Sequence, residues 1–230
     1  MSIRVLQGDP DIALILRRSA RARRMTLRIS RFDGRVTLTL PTRASEREAL
    51  AFAEEKQAWI RRHLADWDGH ASVDLGETIP VEGAICKIVA GAERGVRMGP
   101  GVLQVPGAQA RVPARVLGFL KARARDRLAA ASDHYAARLG RGYAGISLRD
   151  TRSRWGSCSS AGRLMFSWRL IMAPPEVLDY VAAHEVAHLA QMNHSAAFWS
   201  EVARIHGPYE APRGWLRTYG NDLHRYRFGD

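Results

Sequence analysis

The pentapeptide HEVAH at residues 184–188 is the feature that most constrains this sequence. Histidines four positions apart lie on one face of a helix, about one turn from each other. Both imidazoles can then reach one ion at about 2.0–2.1 Å, while Glu185 projects beside them toward its open position. Random ordering of this composition yields about 0.01 such patterns per chain. The sequence therefore predicts a helix that carries a divalent metal site.

A hydrolytic zinc site usually has three protein ligands and leaves its fourth position for water. His194 is the obvious third ligand, but it lies six residues after His188, too far along a straight helix. Asn193 predicts a helix end between them, because asparagine tolerates the left-handed conformation used there. A turn at this point would bring His194 back to the metal. The predicted zinc ligands are therefore His184, His188 and His194.

This arrangement predicts a zinc-dependent hydrolase. Zinc lowers the pKa of its water toward about 7, and Glu185 is expected to act as the general base and later protonate the leaving group. The three histidines also have the metzincin spacing H-E-x-x-H-x-x-G-x-x-H. Gln191 stands where that pattern has glycine, however, and no methionine follows Met192. Metzincin membership is therefore rejected, while the three-histidine geometry is kept.

The sequence resembles the YgjP-like metallopeptidases, which are relatives of the SprT-like and WLM zinc metalloproteases. The segments that carry the resemblance are RWGSC (154–158), the strand RLMFSWRL, DYVAAHEVAHL (179–189) and NHSAAFW (193–199). The likeness is firm across 146–204 and looser over the N-terminal half. It implies a peptidase with a zinc site at His184, His188 and His194, with Glu185 catalytic. It also implies a strand beside the active-site helix that could hold an extended substrate.

The 230 residues can build one large domain or a main domain with an appendage. We expect an α+β fold, with a strand-rich N-terminal half and a zincin-like helical C-terminal half whose active-site helix lies beside a small antiparallel sheet. The predicted regions are 1–110 and 111–230, possible parts of one continuous domain.

Periodicity and turn residues predict the individual elements. Strands are expected at 11–19, 24–30 and 35–41, with a turn at Phe32-Asp33-Gly34, then as a second antiparallel set between 76 and 106, and finally at ISLRD and RLMFSWRLIM. Helices are expected at 46–67 with Ser45 as cap, at 113–139, 176–192 and 195–205, and after Pro212.

The formal net charge is +12, and seven arginines lie between Asp11 and Asp33 without an acid among them. Such a stripe could attract nucleic acid, nucleotide phosphates or acidic proteins. A solvated basic face is favoured, because no aromatic residues interleave with it. The two cysteines, Cys86 and Cys158, give no disulfide framework and favour a reducing, cytoplasmic setting. No apolar run approaches the length of a membrane span, so no membrane partner is expected.

Three functions remain open at this point. The leading one is a zinc peptidase acting on peptides or proteins, and the second is a metal-dependent pyrophosphatase of nucleoside triphosphates such as UTP. The third is a nucleic-acid-binding protein with a structural metal, which is disfavoured because such a site does not need Glu185.

Several other residues are candidates for roles near the site. Arg152 or Arg154 could stabilise an oxyanion or be structural, Phe198 and Trp199 are expected to pack, and Asp179 and Glu201 are candidate partners of the ligands.

Overall fold

A computed structural model of the chain describes residues 2–30, 34–65 and 70–229. The chain forms two compact units, Met1–Ala71 and Ser72–Asp230. The boundary expected between residues 110 and 111 lies inside the second unit. The physical reason is that the strands before it, which contribute Ile79, Ile88 and Leu103, share one hydrophobic core with the helices after it.

The first unit contains a four-stranded sheet and two helices. Its strands are β1 (Ser2–Leu6), β2 (Ile12–Ser19), β3 (Thr26–Ile29) and β4 (Val36–Pro41), in the order β1-β2-β4-β3. The expected antiparallel pairing of β3 with β4 is confirmed, whereas β1 was not predicted. Phe32 and Asp33 of the predicted turn lie outside the described residues. Alternate residues of β2 and β4 are buried, including Leu14 and Leu38, so one face of the sheet forms the core of this unit.

Helix α1 (Glu46–Glu55) begins with the expected cap. The Ser45 hydroxyl accepts from the Glu48 backbone, and the Glu48 carboxylate accepts from the Ser45 backbone at 2.8 Å. The single helix expected at 46–67 is interrupted at Lys56, which leaves helical dihedral angles, and α2 (Gln57–Ala65) follows. Residues 66 and 67 lie outside the described part of the chain.

The second unit begins with short strands. A two-residue strand, β5 (Ala71–Ser72), lies at the boundary of the units, and β6 (Thr78–Val81), β7 (Ala84–Gly91), β8 (Arg97–Gly99) and β9 (Val102–Pro106) follow. These last four form a sheet in the order β6-β7-β9-β8. The central pair β7–β9 is parallel, so the expectation of a purely antiparallel set is wrong there. The hairpin turns predict neighbours along the chain, but not that β9 returns beside β7.

The remaining elements form the helical half. They are α3 (Val112–Leu139), β10 (Gly145–Arg149), β11 (Gly156–Cys158), β12 (Arg163–Ser167), α4 (Pro175–Ala187), α5 (Ala196–His206), α6 (Glu210–Tyr219) and β13 (Tyr226–Arg227). Strands β10, β12 and β11 form a small sheet in that order, in which β12 is parallel to β10 and antiparallel to β11. Of the expected strand RLMFSWRLIM, residues 168–172 form a buried 3-10 turn. The protein is thus α+β, with strands concentrated before α3 and helices after it.

None of the helices in the described ranges is long and apolar enough to cross a membrane.

The turn between β6 and β7 supports the start of α4. The backbone N–H of Glu82 donates to the carbonyl of Ile171 at 2.6 Å, and the Glu82 carboxylate forms ion pairs with Arg123 and Arg127 of α3. Gly83 has a φ of 78°, and a Cβ there would lie 3.0 Å from Cα of Pro174, the residue before α4. The turn therefore fits against the N-terminus of α4 only without a side chain at residue 83.

Gly83→Ala should destabilise the second unit more than Gly76→Ala. Gly76 has a similar φ of 88° but nothing within 4 Å of an added Cβ. The control should lose about 1–2 kcal/mol from the left-handed backbone alone, and Gly83→Ala should lose a further ~1–3 kcal/mol from the clash. Urea denaturation of both variants measures the difference. Equal losses would contradict the proposed fit against Pro174.

Candidate metal centre

The helix that carries the HEVAH segment ends earlier than expected. Helix α4 stops at Ala187, with His188 as its C-cap, and not at Met192. The next turns are tighter than an α-helix, because the backbone N–H of Leu189 donates to Val186 and that of Ala190 to Ala187. Asn193 is not left-handed, and its side chain instead accepts from the Ser195 backbone at 3.3 Å. The chain reverses within 188–195 and leads into α5.

This reversal brings the three predicted ligands together. One possible ligand atom each from His184, His188 and His194 lies within 4.8 Å of the others. The Nε2 atoms of His184 and His194 are 3.1 Å apart. Two ligands bound to one tetrahedral ion at about 2.0–2.1 Å would be roughly 3.3 Å apart. The observed separation fits a single shared cation.

The protonation of the imidazoles also suits a metal. The Nδ1 atom of His188 lies 2.9 Å from the carbonyl oxygen of Gln191. A carbonyl only accepts, so Nδ1 carries the proton and Nε2 is left with a free lone pair. Burial, followed by the other two imidazoles, lowers the pKa of His184 to about 3. A neutral imidazole is the form that binds metal.

Phe198 packs against all three imidazoles. Its ring centroid lies 4.9 Å from that of His184, 4.4 Å from that of His188 and 4.8 Å from that of His194. The ring is fully buried on α5, whose N-cap Ser195 directly follows His194. Phe198 therefore fixes the direction of the ligands through packing, as expected.

Glu185, the residue after His184 on α4, is a buried carboxyl group. The side chain is 5% exposed, and burial raises its pKa to about 8, against the opposing positive charge of Arg154. Desolvation penalises an isolated carboxylate, so a charged Glu185 needs a cation beside it. A divalent ion held by the three histidines would supply that charge. The buried acid and the neutral imidazoles thus fit the same metal.

The backbone of Gly156 packs directly against Glu185. A Cβ at residue 156 would lie 2.5 Å from Oε1 of Glu185 and 2.6 Å from its Cγ, closer than real contacts allow. Gly156 begins β11, which pairs with β12. The Glu185 carboxyl group can therefore occupy its present position only with glycine at residue 156.

Comparison with known proteins agrees with this site. The sequence matches the family described as YgjP-like, metallopeptidase domain, over residues 23–219. The chain belongs to the YgjP-like metallopeptidase family. Among solved structures, the metallopeptidase zymogen of Pyrococcus abyssi abylysin is 22% identical over 40% of this chain and 92% of that chain, with a TM-score of 0.36. Comparison with curated proteins gave no significant match.

The YgjP-like chain is therefore a metallohydrolase with a three-histidine centre, but sequence reasoning missed two contacts at that centre. The sequence patterns assign no role to Gly156 or to the Gln191 carbonyl. Asp179 and Glu201, the suggested partners of the ligands, lie elsewhere. Glu201 pairs with Arg204, and the pKa of Asp179, which burial raises, responds to charges outside the ligand set. The glycine within RWGSC was the feature of the sequence that could have indicated the Gly156 contact.

A buried arginine supports the loop before Gly156 in this YgjP-like enzyme. Arg169 donates to both oxygens of Asp150, at 2.7 and 3.1 Å, and to the carbonyls of Leu223 and Tyr226. This joins the segment after β10 to the C-terminal segment. His224 in that segment lies 5.3 Å from Trp155, centroid to centroid. The indole that precedes Gly156 thus has a fixed neighbour.

Arg152 and Arg154 have different surroundings. The charge of Arg152 acts on Asp150 and His224, whereas that of Arg154 acts on Glu185. Cys158 in β11 is half-buried, and burial, followed by the charge of Glu185, raises its pKa. The thiol therefore stays protonated, in agreement with a packing role. Of the two arginines, Arg154 is the one whose charge reaches Glu185.

Gly156→Ala should lower peptidase activity by at least about 100-fold, because the methyl group displaces the Glu185 carboxyl, and misplacement by about 1 Å has that effect. Metal content should stay unchanged, since the three imidazoles are not moved. Gly95→Ala is the matched control, because an added Cβ there meets nothing within 4 Å. Turnover and metal analysis of both variants test this. Full activity of Gly156→Ala would refute the contact.

His224 should make the protein less stable in acid. Burial, followed by the charge of Arg169, lowers its pKa to about 4. The unfolded chain binds a proton near pH 6.5 and the folded chain does not, so stability falls as the pH drops from about 6.5 to about 4. His224→Gln should flatten this slope, and His134→Gln, at an exposed position on α3, should not. Urea denaturation at several pH values measures both.

Proposed function

We propose that this chain is a zinc-dependent peptidase in which His184, His188 and His194 hold the ion and Glu185 is the general base. The observation that carries the proposal is the convergence of three imidazoles, with a buried carboxyl group on the helix that carries two of them. Membership of a metallopeptidase family supports the same reaction class.

The donor set favours zinc among the common metals. Three imidazoles with no carboxylate or thiolate ligand suit a borderline-soft ion that accepts tetrahedral geometry. Magnesium and calcium prefer oxygen ligands, which this cluster does not offer. When bound, zinc supplies a Lewis acid that makes water acidic near neutral pH and polarises a carbonyl oxygen.

The side chains then divide the proton transfers. An oxygen of Glu185 accepts a proton from the attacking water as that water bonds to the peptide carbon. Glu185 then gives the proton to the departing nitrogen as the C–N bond breaks. Gly156 and the wall of α4 hold the carboxyl in place and exclude bulk water from it. Arg154, whose charge reaches Glu185, is the candidate for stabilising negative charge that develops on the carbonyl oxygen.

Strand β11 is the candidate support for an extended substrate. It lies at the end of the order β10-β12-β11 and beside α4. An edge strand offers backbone donors and acceptors to an added strand. Because Gly156 belongs to β11, a peptide bound along this edge would pass close to Glu185.

Glu185→Gln should retain the metal and lose about 10²–10⁴-fold in peptide turnover, since the amide cannot accept the proton. Glu176→Gln, at an exposed position in the first turn of the same helix, should match the wild type. Cleavage of a quenched peptide library, zinc analysis, and removal of activity by a chelator make the measurement.

UTP hydrolysis should be measured beside the peptide assay. A zinc-loaded protein that hydrolyses UTP to the monophosphate and cleaves none of the peptides would overturn the peptidase proposal. Equal activity of Glu185→Gln and wild type would overturn the assignment of the base.

A further inference from the structure

An arginine outside the predicted site lies next to the metal centre. The guanidinium of Arg213 on α6 lies 4.4 Å from the ring centre of Trp199. That indole is 5.7 Å from the ring of His184 and 5.8 Å from that of His194, and it stacks on Tyr209 at 5.1 Å. We call Trp199 and Tyr209 the aromatic platform. Arg213 therefore contacts the aromatic platform, which lies beside His184 and His194.

The distance from Arg213 to the metal centre is about the length of a short extended peptide. The two separations put its guanidinium carbon no more than about 10 Å from the centre of the His184 ring, which roughly three extended residues span at about 3.3 Å each.

The guanidinium has no anionic partner within the described ranges. Some arginines of this unit are paired, such as Arg169 with Asp150 and Arg204 with Glu201. Arg213 forms no hydrogen bond or ion pair through its side chain among these residues, and its contact there is the cation–π contact with Trp199. The nearby Glu210 turns its carboxylate to the Tyr209 backbone. An exposed guanidinium that lies over an indole ring, and has no hydrogen-bond partner among the described residues, presents a planar set of donors that matches a carboxylate.

We propose that Arg213, held on the aromatic platform, anchors a carboxylate of the substrate, so that the enzyme selects peptides with an anionic group within about three residues of the cleaved bond. The proposal rests on the peptidase function above. The carboxylate belongs either to an Asp or Glu side chain or to the free C-terminus, and both present the same chemistry to the guanidinium.

Matched peptides test this selection and separate the two sources. Internally quenched peptides share one core sequence taken from the library screen. One set carries Asp or Asn at each of the three positions on either side of the cleaved bond, with an amidated end, and another carries a free or amidated C-terminus. Wild-type zinc enzyme should cleave the matching carboxylate peptide at least about tenfold better in kcat/KM, mainly through KM. The set that shows the preference identifies the source.

Arg213→Gln should abolish the preference and leave the neutral peptides within about twofold of wild type. Arg213→Lys should keep part of it, and Arg213→Glu should turn it toward a Lys-containing peptide. Arg217→Gln removes a charge one turn farther along α6 and should behave as wild type. Fluorescence anisotropy of the Asp and Asn peptides on the zinc-loaded Glu185→Gln protein should show the same preference in binding, and Arg213→Gln in that background should remove it.

Two results would overturn the proposal in distinguishable ways. If peptides are cleaved without regard to charge, or if Arg213→Gln lowers all peptides equally, the anchor is wrong and the peptidase function stands. If the zinc-loaded protein cleaves no peptide, both fall.

Discussion

The packing of the Glu185 carboxyl group against the backbone of Gly156 is the contact on which the site depends. A Cβ at residue 156 would lie 2.5 Å from Oε1 of Glu185, so the carboxyl group occupies the space that a methyl group on β11 would need. The carboxyl group is consequently shielded from water, which raises its pKa and makes it dependent on a nearby cation. The same contact places β11 beside the Glu185 carboxyl group. The position and the acidity of this group therefore depend on one contact, and the Arg169 hydrogen bonds join the segments that lead to it.

Holding the three imidazoles close together costs the folded chain free energy, and a bound metal offsets this cost. Burial lowers the pKa of His184 and of His188, and Nε2 of His184 lies 3.1 Å from Nε2 of His194. Nothing in the unfolded chain preserves this arrangement, so a metal that binds it stabilises the folded state. Phe198 contributes rigidity through its contacts with all three rings. Apolar packing against Phe198 thus holds the three imidazoles in place, and the positive charge of a bound metal would complete the centre.

The parts of this architecture that could be predicted are those that depend on local spacing. Two histidines four apart define a helix face, Ser45 and Glu48 define a cap, and the run before Gly140, which is rich in Ala, Arg and Leu and has few breakers, defines α3. The parts that could not are set by contacts between distant segments. The contact of Gly156 could not be predicted because its partner, Glu185, lies 29 positions away in the sequence. The parallel pairing of β7 with β9 and the position of Arg213 over Trp199 have the same origin.

The way His194 reaches the metal centre shows how a local irregularity replaces a special residue. A glycine at position 191, as in the metzincin spacing, would allow a left-handed turn there. In this chain α4 has already ended at Ala187, and two tight turns reverse its direction before Gln191. Gln191 therefore needs no positive φ, and Glu82 is the one non-glycine residue with such an angle in the described ranges. The reversal leaves the Gln191 carbonyl facing Nδ1 of His188, where it sets the tautomer that frees Nε2 for the metal. The early end of the helix thus both returns the third ligand and orients the second.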